Sequence, residues 1–221
     1  MSDLRDTPQS EAHPIAARIE RKRTWRQIVA LSLDLVVDRL TVPVHTWRAR
    51  AELWIWGGTV GADFEVSGKV RCRNAGILQI GTAVRLNSGG RRNYVGVDRR
   101  VNLWVGRSAV LRIGDRVGIS GTTIVATKEV IVEDDVLLGG GCAVFDTDFH
   151  HVALGGVEGR EIHSAPVRIG ARAFIGYNST ILKGAQIGAD AVVGAGSIVT
   201  GNIPACEIWA GVPARFIRKR S

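Results

Sequence analysis

A short polar stretch with two carboxylates and two adjacent histidines is the part of this chain best suited to acid–base chemistry. It reads Phe-Asp-Thr-Asp-Phe-His-His over residues 145–151. Histidine exchanges a proton near neutral pH, so His150 or His151 could take a proton from a nucleophile and return it to a leaving group. Asp148 or Asp146 could orient the imidazole and stabilise its cation. Alternatively, these aspartates form the turn, because their side chains bond readily to their own backbone in loops.

This stretch interrupts a six-residue repeat, which must supply the scaffold. The aliphatic positions are Ile169, Ile175, Ile181, Ile187, Val193 and Val199. Small residues recur four positions later, at Ala173, Ser179, Ala185, Ala191 and Ser197. Glycines expected to permit turns follow the aliphatics, at Gly170, Gly176, Gly188 and Gly194. A helix repeats at 3.6 residues and a strand at 2, so this spacing indicates an internal repeat of short, stacked strands.

The repeat extends towards the N-terminus with two breaks, over residues 89–103 and 145–166. Its earlier aliphatic positions are Ile113, Ile119, Val125, Val132, Leu138 and Val144, with one extra residue between the two groups of three. Each unit is too short to bury itself, so the units must stack. Three units of six residues would form one triangular coil, with parallel strands about 4.8 Å apart. Core packing does not demand the residues of the two breaks, so chemistry is expected there.

Composition favours a protein with one principal domain and a cytoplasmic location. The chain has 221 residues, of which 45% are hydrophobic and 27 are glycine, which suits one domain with many corners. Its three cysteines are widely spaced and predict neither a disulfide framework nor a metal knuckle, so we expect a cytoplasmic location. The N-terminus does not resemble a signal peptide, and the apolar run over 28–37 is too short to span a bilayer.

We expect an N-terminal segment over residues 1–50 and a β-helix over 51–221. A helix is predicted from Ile15 to about Leu40, with a basic cluster over 18–26. Its apolar side is expected to pack on the coil or on a partner subunit. Weak contact with an anionic membrane is the alternative, which co-sedimentation with vesicles at low and high salt would test.

The net charge of +8 raises the question of nucleic-acid binding. The arginines are scattered along the predicted coil faces, and the sequence contains no helix-turn-helix, zinc finger or aromatic stacking platform. No nucleic-acid partner is therefore expected. The five histidines lack the His-x4-His spacing of zinc-binding β-helices, so no metal is expected either.

The repeated pattern [LIV]-G-x-x-[STAV]-x resembles the hexapeptide repeat of left-handed parallel β-helix acyltransferases, over roughly residues 75–220. The tail is more specific. Its unbroken repeats, Ile-Pro at 203–204 and Ala-Gly-Val-Pro-Ala-Arg at 210–215 are similar to the end of sugar and xenobiotic O-acetyltransferases. The resemblance implies a mainly β fold, a left-handed parallel β-helix of hexapeptide repeats with an N-terminal α-helix. The handedness comes from the family alone, since the general rule for parallel crossovers favours a right-handed coil.

The resemblance also implies an acetyl-CoA-dependent O-acetyltransferase that acts on a sugar or a polysaccharide precursor. The family's catalytic histidine aligns with His150, which would serve as general base for direct attack of a hydroxyl on the thioester. His151 is the alternative base, and Asp148 is the expected orienting carboxylate. A homotrimer with each site between two coils is expected. The rival interpretations are an amino-sugar N-acetyltransferase and a trimeric scaffold without catalytic activity.

The resemblance assigns coenzyme A to the tail. The backbone N–H of Tyr177 would support the thioester oxyanion. Ala195 and Thr200 match backbone positions along the pantetheine groove. Arg215 and Arg218 match basic positions near the nucleotide, and guanidinium groups suit phosphates well.

Acceptor residues are expected at two other places. Ser120 matches an asparagine that contacts the acceptor in galactoside-type relatives, although it could be a simple corner residue. Asn93 lies in a basic loop over residues 91–100, which could bind an anionic acceptor or be solvated. The sequence departs from the family at Gly201 and Asn202, where many relatives have Lys-Asp, so one cationic contact to the coenzyme is missing.

Overall fold

A computed structural model describes residues 25–89, 98–150 and 162–220. Its first element is helix α1, Trp25–Ile55, which contains Pro43. The helix ends fifteen residues beyond the expected end at Leu40, because Ala, Arg, Glu and Leu over residues 48–53 favour helix. The expected start at Ile15 lies outside the described residues.

In the described residues after this helix, twenty short strands form three sheets, which we call A, B and C. Sheet A contains β1 (Thr59–Val60), β4 (Ile77–Ile80), β7 (Val110–Ile113), β10 (Glu129–Val132), β13 (Val167–Ile169) and β16 (Gln186–Ile187). Sheet B contains β2 (Glu65–Gly68), β5 (Arg85–Ser88), β8 (Gly118–Ser120), β11 (Leu137–Leu138), β14 (Phe174–Ile175), β17 (Val192–Val193), β19 (Glu207–Ala210) and β20 (Arg215–Lys219). Sheet C contains β3 (Arg71–Asn74), β6 (Asn102–Val105), β9 (Thr123–Ala126), β12 (Ala143–Phe145), β15 (Thr180–Ile181) and β18 (Ile198–Val199).

The chain passes through sheets A, B and C in turn, and each return to sheet A begins a new coil of the parallel β-helix. Arg168 pairs with Gln186 in the next coil, which confirms the expected coil of eighteen residues. Glu129 pairs with Val110, nineteen residues away, because the one extra residue seen in the sequence lies between them.

The predicted aliphatic positions fill the interior, except that the prediction of Val125 is wrong: Ile124 pairs with the inward Val144, and Val125 lies on the other face of sheet C. Small polar residues share the interior. Ser179 and Ser197 are both fully buried. Their hydroxyl groups donate to the carbonyl oxygen of Gly194 at 2.9 Å and 2.6 Å. A buried hydroxyl with a backbone acceptor is not an unpaired polar group, which explains why serine as well as alanine occupies the small position.

The repeat glycines are needed for close approach between coils, not for the turn that we expected them to permit. A Cβ atom at Gly176 would lie 2.6 Å from the backbone nitrogen of Ala195 in the next coil. Positive φ angles occur two residues later instead, at Asn178 (55°) and at the equivalent Asp190 (60°). Asn and Asp tolerate this left-handed conformation better than most residues.

The coil begins at Thr59, within the β-helix expected over residues 51–221 and before residue 75, where the family resemblance begins. Val66 and Cys72 keep the six-residue spacing, and both are buried. Phe64 and Val70 occupy the fourth position of these units, where larger side chains hide the small-residue pattern.

Helix α1 covers the open end of this first coil with its own side chains. Thr46 Oγ1 accepts the Val66 N–H at 2.9 Å, and Glu52 Oε1 accepts the Cys72 N–H at 2.7 Å. Leu53 is fully buried beneath them. These contacts satisfy donors that would otherwise offer an edge for pairing with another strand.

Many other apolar side chains of α1 are exposed, including Trp25, Leu35, Leu40, Trp47 and Trp54. Ala49 and Leu53, which lie beyond the helix that we expected, are buried against the coil, and the expected packing of residues 15–40 stays a prediction. In the described part of the chain, no helix is long and apolar enough to cross a membrane. Peripheral contact with an anionic membrane stays a prediction.

The burial of two thiols predicts a simple reactivity pattern. Burial, with a smaller effect from the Glu52 carboxylate, raises the pKa of Cys72 to about 12. Burial also raises the pKa of Cys142, whereas Cys206 is exposed. Because the thiolate is the reactive form, an aromatic disulfide reagent at pH 8 should modify one thiol rapidly in the native protein and three after unfolding. A Cys206→Ser variant should lose the rapid phase; a second fast thiol would contradict this placement.

Candidate active site

The two sequence breaks leave the coil at different edges, which we name by the sheets they join. Residues 89–101 connect β5 to β6 at the B–C edge. Residues 146–166 connect β12 to β13 at the C–A edge. The break expected to carry the catalytic histidine and the break expected to contact the acceptor are therefore separated by sheet C.

The two ends of the C–A break are paired with each other. Thr147 and Ser164 form an antiparallel bridge, and the Asp148 N–H donates to the carbonyl oxygen of His163 at 3.1 Å. The excursion therefore leaves the coil as a hydrogen-bonded ribbon. This ribbon fixes the direction in which the chain reaches His150.

His150 lies exposed at the end of this ribbon. The backbone N–H of His150 donates to the backbone carbonyl oxygen of Asp148 at 2.7 Å. Phe149 has a φ of 61°, and its ring packs edge-on against Phe145 with centroids 5.2 Å apart. A bulky residue rarely adopts this conformation, and such strained positions cluster at functional sites. His151 lies outside the described residues.

The carboxylate of Asp148 is held by a lysine of the next coil. Lys183 Nζ lies 2.8 Å from Asp148 Oδ1. Between the described residues, no hydrogen bond or ion pair joins this carboxylate to the imidazole of His150. Orientation of His150 by Asp148 stays a prediction, and it would involve Lys183 as well.

Asp146 binds backbone amides and does not orient a histidine. The alternative prediction that Asp146 is the orienting carboxylate is therefore wrong. Its side chain is fully buried. It accepts the backbone N–H groups of Thr127, Lys128 and Glu129 at 2.7, 2.6 and 2.8 Å, and the Thr127 hydroxyl at 2.8 Å. These donors fill the lone pairs of the carboxylate, so Asp146 anchors the break to the preceding corner.

Equivalent corner residues from five coils line the B–C edge: Asn87, Ser120, Gly140, Tyr177 and Ala195. In four of these coils the next residue donates its N–H to a carbonyl of the row, as Gly196 does to Tyr177 at 2.7 Å. The structure thus brings together the predicted Ser120, Tyr177 and Ala195. Asn93 lies outside the described residues, in the break that leaves from this same edge.

Two backbone amides of this row, those of Tyr177 and Ala195, are open. The N–H groups of Tyr177 and Ala195 have no acceptor among the residues that the structure describes. At the A–B edge, by contrast, the equivalent amides of Thr82 and Asp115 donate to the carboxylates of Asp115 and Asp134 at 2.7 and 2.9 Å. Unpaired amides can stabilise a developing oxyanion or hold a carbonyl.

The other predicted coenzyme residues are more dispersed. Arg215 is exposed and close to the B–C edge, because the Ala214 N–H donates to the Ile198 carbonyl at 2.8 Å. Thr200 lies beyond the other end of β18, at the C–A edge. Arg218 lies on β20, which extends sheet B by antiparallel pairing with β19.

A single chain does not bring the predicted base and the predicted oxyanion donor together. His150 leaves from the C–A edge and Tyr177 lies on the B–C edge, with strands of sheet C between these edges. A three-residue strand such as β12 spans roughly 10 Å. A site containing both groups therefore needs the C–A edge of one chain to meet the B–C edge of another.

Candidate metal ligands are dispersed. Within the described ranges, no three His, Cys, Asp or Glu side chains are grouped so that they could hold a metal ion. The absence of a bound metal stays a prediction.

Comparison with known proteins identifies the family. Residues 166–201 match a family model described as the hexapeptide repeat of succinyl-transferase. WbbJ of Escherichia coli, named as an O-acetyl transferase of lipopolysaccharide biosynthesis, is 32% identical over 166 residues, covering 68% of this chain and 82% of WbbJ. The chain belongs to the hexapeptide-repeat acetyltransferases. The family and the enzyme class expected from the tail are confirmed.

Other members of this family match less of their length. The galactoside O-acetyltransferase of Escherichia coli is 34% identical over 127 residues, which are 53% of this chain and 61% of that enzyme. An acetyltransferase of Mycobacterium tuberculosis is 32% identical over 113 residues, 50% of this chain but only 37% of that protein.

A solved structure supports the fold. AntD, an N-acyltransferase from Bacillus cereus crystallised with dTDP and coenzyme A, superposes with a TM-score of 0.61 at 24% identity, over 78% of this chain and 89% of AntD. With the family match, this likeness confirms the expected left-handed parallel β-helix.

Two residues of the site were missed from the sequence. Asn87 Nδ2 lies 3.5 Å from Ser120 Oγ, and Asn87 follows inward Leu86 as Ser120 follows Ile119. That shared phase was the available signal. The sequence gives no signal for Lys183, because its contact with Asp148 depends on the stacking of the next coil on the C–A break.

Proposed function

We propose that the protein transfers an acetyl group from acetyl-CoA to a hydroxyl of a sugar, with a polysaccharide or lipopolysaccharide precursor as the acceptor class. Family membership supports the donor, and the names of WbbJ and the galactoside enzyme support a sugar hydroxyl. The observation that carries the proposal is the pair of open amides in the same row of the B–C edge as Asn87 and Ser120. The proposed location is the cytoplasm, where its free cysteines would stay reduced.

The active site is completed by a second copy of the chain. The C–A edge of one copy brings His150 to the B–C edge of the next, where Tyr177 lies. Each copy offers both edges, so the contact is head-to-tail and closes into a ring. Three copies of a three-sided coil close such a ring, as the family resemblance implies.

The reaction is a direct transfer. The acceptor hydroxyl attacks the thioester carbonyl carbon while His150 removes the hydroxyl proton. The Tyr177 N–H donates to the oxygen that becomes negative as the C–O bond forms. The C–S bond then breaks, and His150 returns the proton to the departing thiolate. The products are an O-acetyl sugar and coenzyme A.

The remaining predicted residues bind the donor. The open amide of Ala195, one coil beyond Tyr177, holds a carbonyl of the pantetheine arm. Thr200 lies on the C–A edge, so it approaches that arm from the neighbouring copy. Arg215 and Arg218 contact the phosphates, for which guanidinium groups are well suited. The Asp148–Lys183 pair (2.8 Å) fixes the base of the loop that carries His150.

Release of coenzyme A in the presence of hydroxyl and amino sugars tests this function. Release with hydroxyl sugars, and an ester product by mass spectrometry, is the expected result. An amide product formed from amino sugars alone would instead establish N-acetylation. No release from any acceptor, together with no binding of acetyl-CoA by calorimetry, would leave a non-catalytic scaffold and overturn the proposal.

The acceptor side of the row gives a more specific prediction. Asn87→Ala removes a half-buried amide that faces Ser120 (3.5 Å), and one hydrogen bond to the acceptor contributes about 1 kcal/mol. We expect the KM for the sugar to rise roughly fivefold, with the KM for acetyl-CoA unchanged. Gln79→Ala on the outer face of sheet A is the matched control. A larger change in the KM for acetyl-CoA would assign Asn87 to the donor instead.

A further inference from the structure

A basic pocket lies where helix α1 meets the first coil. It has a volume of about 340 Å³ and is lined by Arg48, Lys69, Arg71, Arg100, His45 and Glu52, with neighbouring backbone. We propose that this pocket binds the phosphate or diphosphate group of the acceptor, which makes the acceptor a glycosyl phosphate or diphosphate. This inference rests on the proposed function and specifies its substrate class.

The cations of the pocket are uncompensated. Among the described residues, the side chains of Arg48, Lys69, Arg71 and Arg100 form no ion pair and no hydrogen bond. Three arginines elsewhere in the described part of the coil, Arg116, Arg168 and Arg172, pair with carboxylates; Arg172 lies 2.6 Å from Asp190. Four unpaired cations converge on one cavity whose lining includes a single carboxylate, Glu52, and this excess of positive charge points to an anionic ligand.

The one carboxylate in the pocket is already engaged. Glu52 Oε1 accepts the Cys72 N–H at 2.7 Å, so it is oriented towards the strand that it caps. His45 Nδ1 accepts the Gly68 N–H at 3.0 Å. A neutral imidazole that accepts at Nδ1 carries its hydrogen on Nε2, which adds a donor for a phosphate oxygen.

The wall that presents Lys69 and Arg71 is rigid. Gly68 has a φ of 89°, and a Cβ atom there would lie 1.5 Å from the carbonyl oxygen of Ser88. No other residue fits this position. The Ser88 hydroxyl bonds to the Lys69 carbonyl and accepts the Val101 N–H at 2.8 Å. A fixed backbone reduces the entropy that cationic side chains lose when they bind an anion.

The position of the pocket links it to the reaction. Residues 68–71 form the B–C corner of the first coil, and the second and third coils place Asn87 and Ser120 on the same edge. Coils are about 4.8 Å apart, so Ser120 lies roughly 10 Å along the edge from the pocket. One sugar ring and its phosphate cover such a distance. A phosphate held in the pocket would therefore direct the sugar hydroxyls along the row towards Tyr177.

Direct binding tests the pocket without any catalytic readout. Calorimetry with inorganic pyrophosphate should show binding by the wild type and at least tenfold weaker binding by Arg71→Ala and by Lys69→Ala. Arg112→Ala, an equal charge change at an exposed site on the outer face of sheet A, is the matched control and should bind as the wild type does. No binding by the wild type, or an equal loss in the control, would overturn the proposal.

Kinetics identify the source of the phosphate. Each hexose that accepts acetyl is offered as the free sugar, the 1-phosphate, the nucleoside diphosphate sugar and the short-chain prenyl diphosphate sugar. We expect at least a tenfold lower KM for phosphorylated forms, and Arg71→Ala should abolish this difference without changing the KM for acetyl-CoA. The preferred form distinguishes a nucleotide from a lipid carrier.

The outcomes separate this inference from the proposed function. Free and phosphorylated sugars used equally well, with no effect of Arg71→Ala, would overturn the inference and leave an acetyltransferase. Pyrophosphate binding without coenzyme A release from any acceptor would remove the proposed function but keep the anion site.

Discussion

Replacing His150 with alanine is expected to lower kcat for acetyl transfer by at least about a hundredfold, because a positioned general base contributes that much or more. The imidazole lies exposed at the end of a paired ribbon, so its removal leaves no cavity in the core. The coil and the oligomer should remain intact, as judged by sedimentation velocity. The rate of coenzyme A release under saturating acetyl-CoA and acceptor is the measurement.

His163→Ala is the matched control for this variant. His163 contributes its backbone carbonyl to the ribbon, at 3.1 Å from the Asp148 nitrogen, and alanine keeps that carbonyl. We expect kcat to change little in the control. The His150 variant should also lose the acid limb of the pH–rate profile, which a purely structural role would not affect. Near-normal turnover in folded His150→Ala would remove His150 as the base.

The second large effect concerns stability. Asp146→Ala should lower the free energy of unfolding by about 3 kcal/mol or more, because each buried donor left without an acceptor costs about 1–3 kcal/mol. Three backbone N–H groups, those of Thr127, Lys128 and Glu129, would lose their acceptor. Urea unfolding followed by circular dichroism measures the change. Activity should fall as well, because the anchor of the loop that carries His150 is lost.

An aspartate at another corner serves as the control. Asp134 Oδ1 also accepts one backbone N–H, from Asp115 at 2.9 Å, but its side chain is half exposed. Water can replace that acceptor, so Asp134→Ala should cost less than about 1 kcal/mol. Equal losses in the two variants would contradict the role assigned to Asp146.

The sequence predicted the later coils well because their interior positions obey one simple rule. Where Ile175, Ile181 and Ile187 recur with small residues between them, the period gives the coil length directly. The first coil escaped notice because Phe64 and Val70 fill positions that the later coils reserve for small residues. The first coil is buried like the later ones, but its larger side chains at these positions do not match the six-residue motif.

The candidate site was predictable only in part. The break that carries His150 is visible because it interrupts the repeat. Asp146 and Asp148 look equivalent in the sequence, and only the stacking of coils shows that one meets the amides of Thr127–Glu129 while the other meets Lys183. The separation of His150 from Tyr177 also depends on which edge each occupies, which requires the winding of the chain.

The eighteen-residue register of the coil has a consequence for acceptor choice. Each coil adds one corner to the B–C edge, so the distance from the basic pocket to Tyr177 changes only in steps of about 4.8 Å. Such an edge is a molecular ruler with discrete marks. Related chains that gain or lose whole coils between the basic pocket and Tyr177 would keep both the anion site and the oxyanion donor. Such chains would select saccharides of different length.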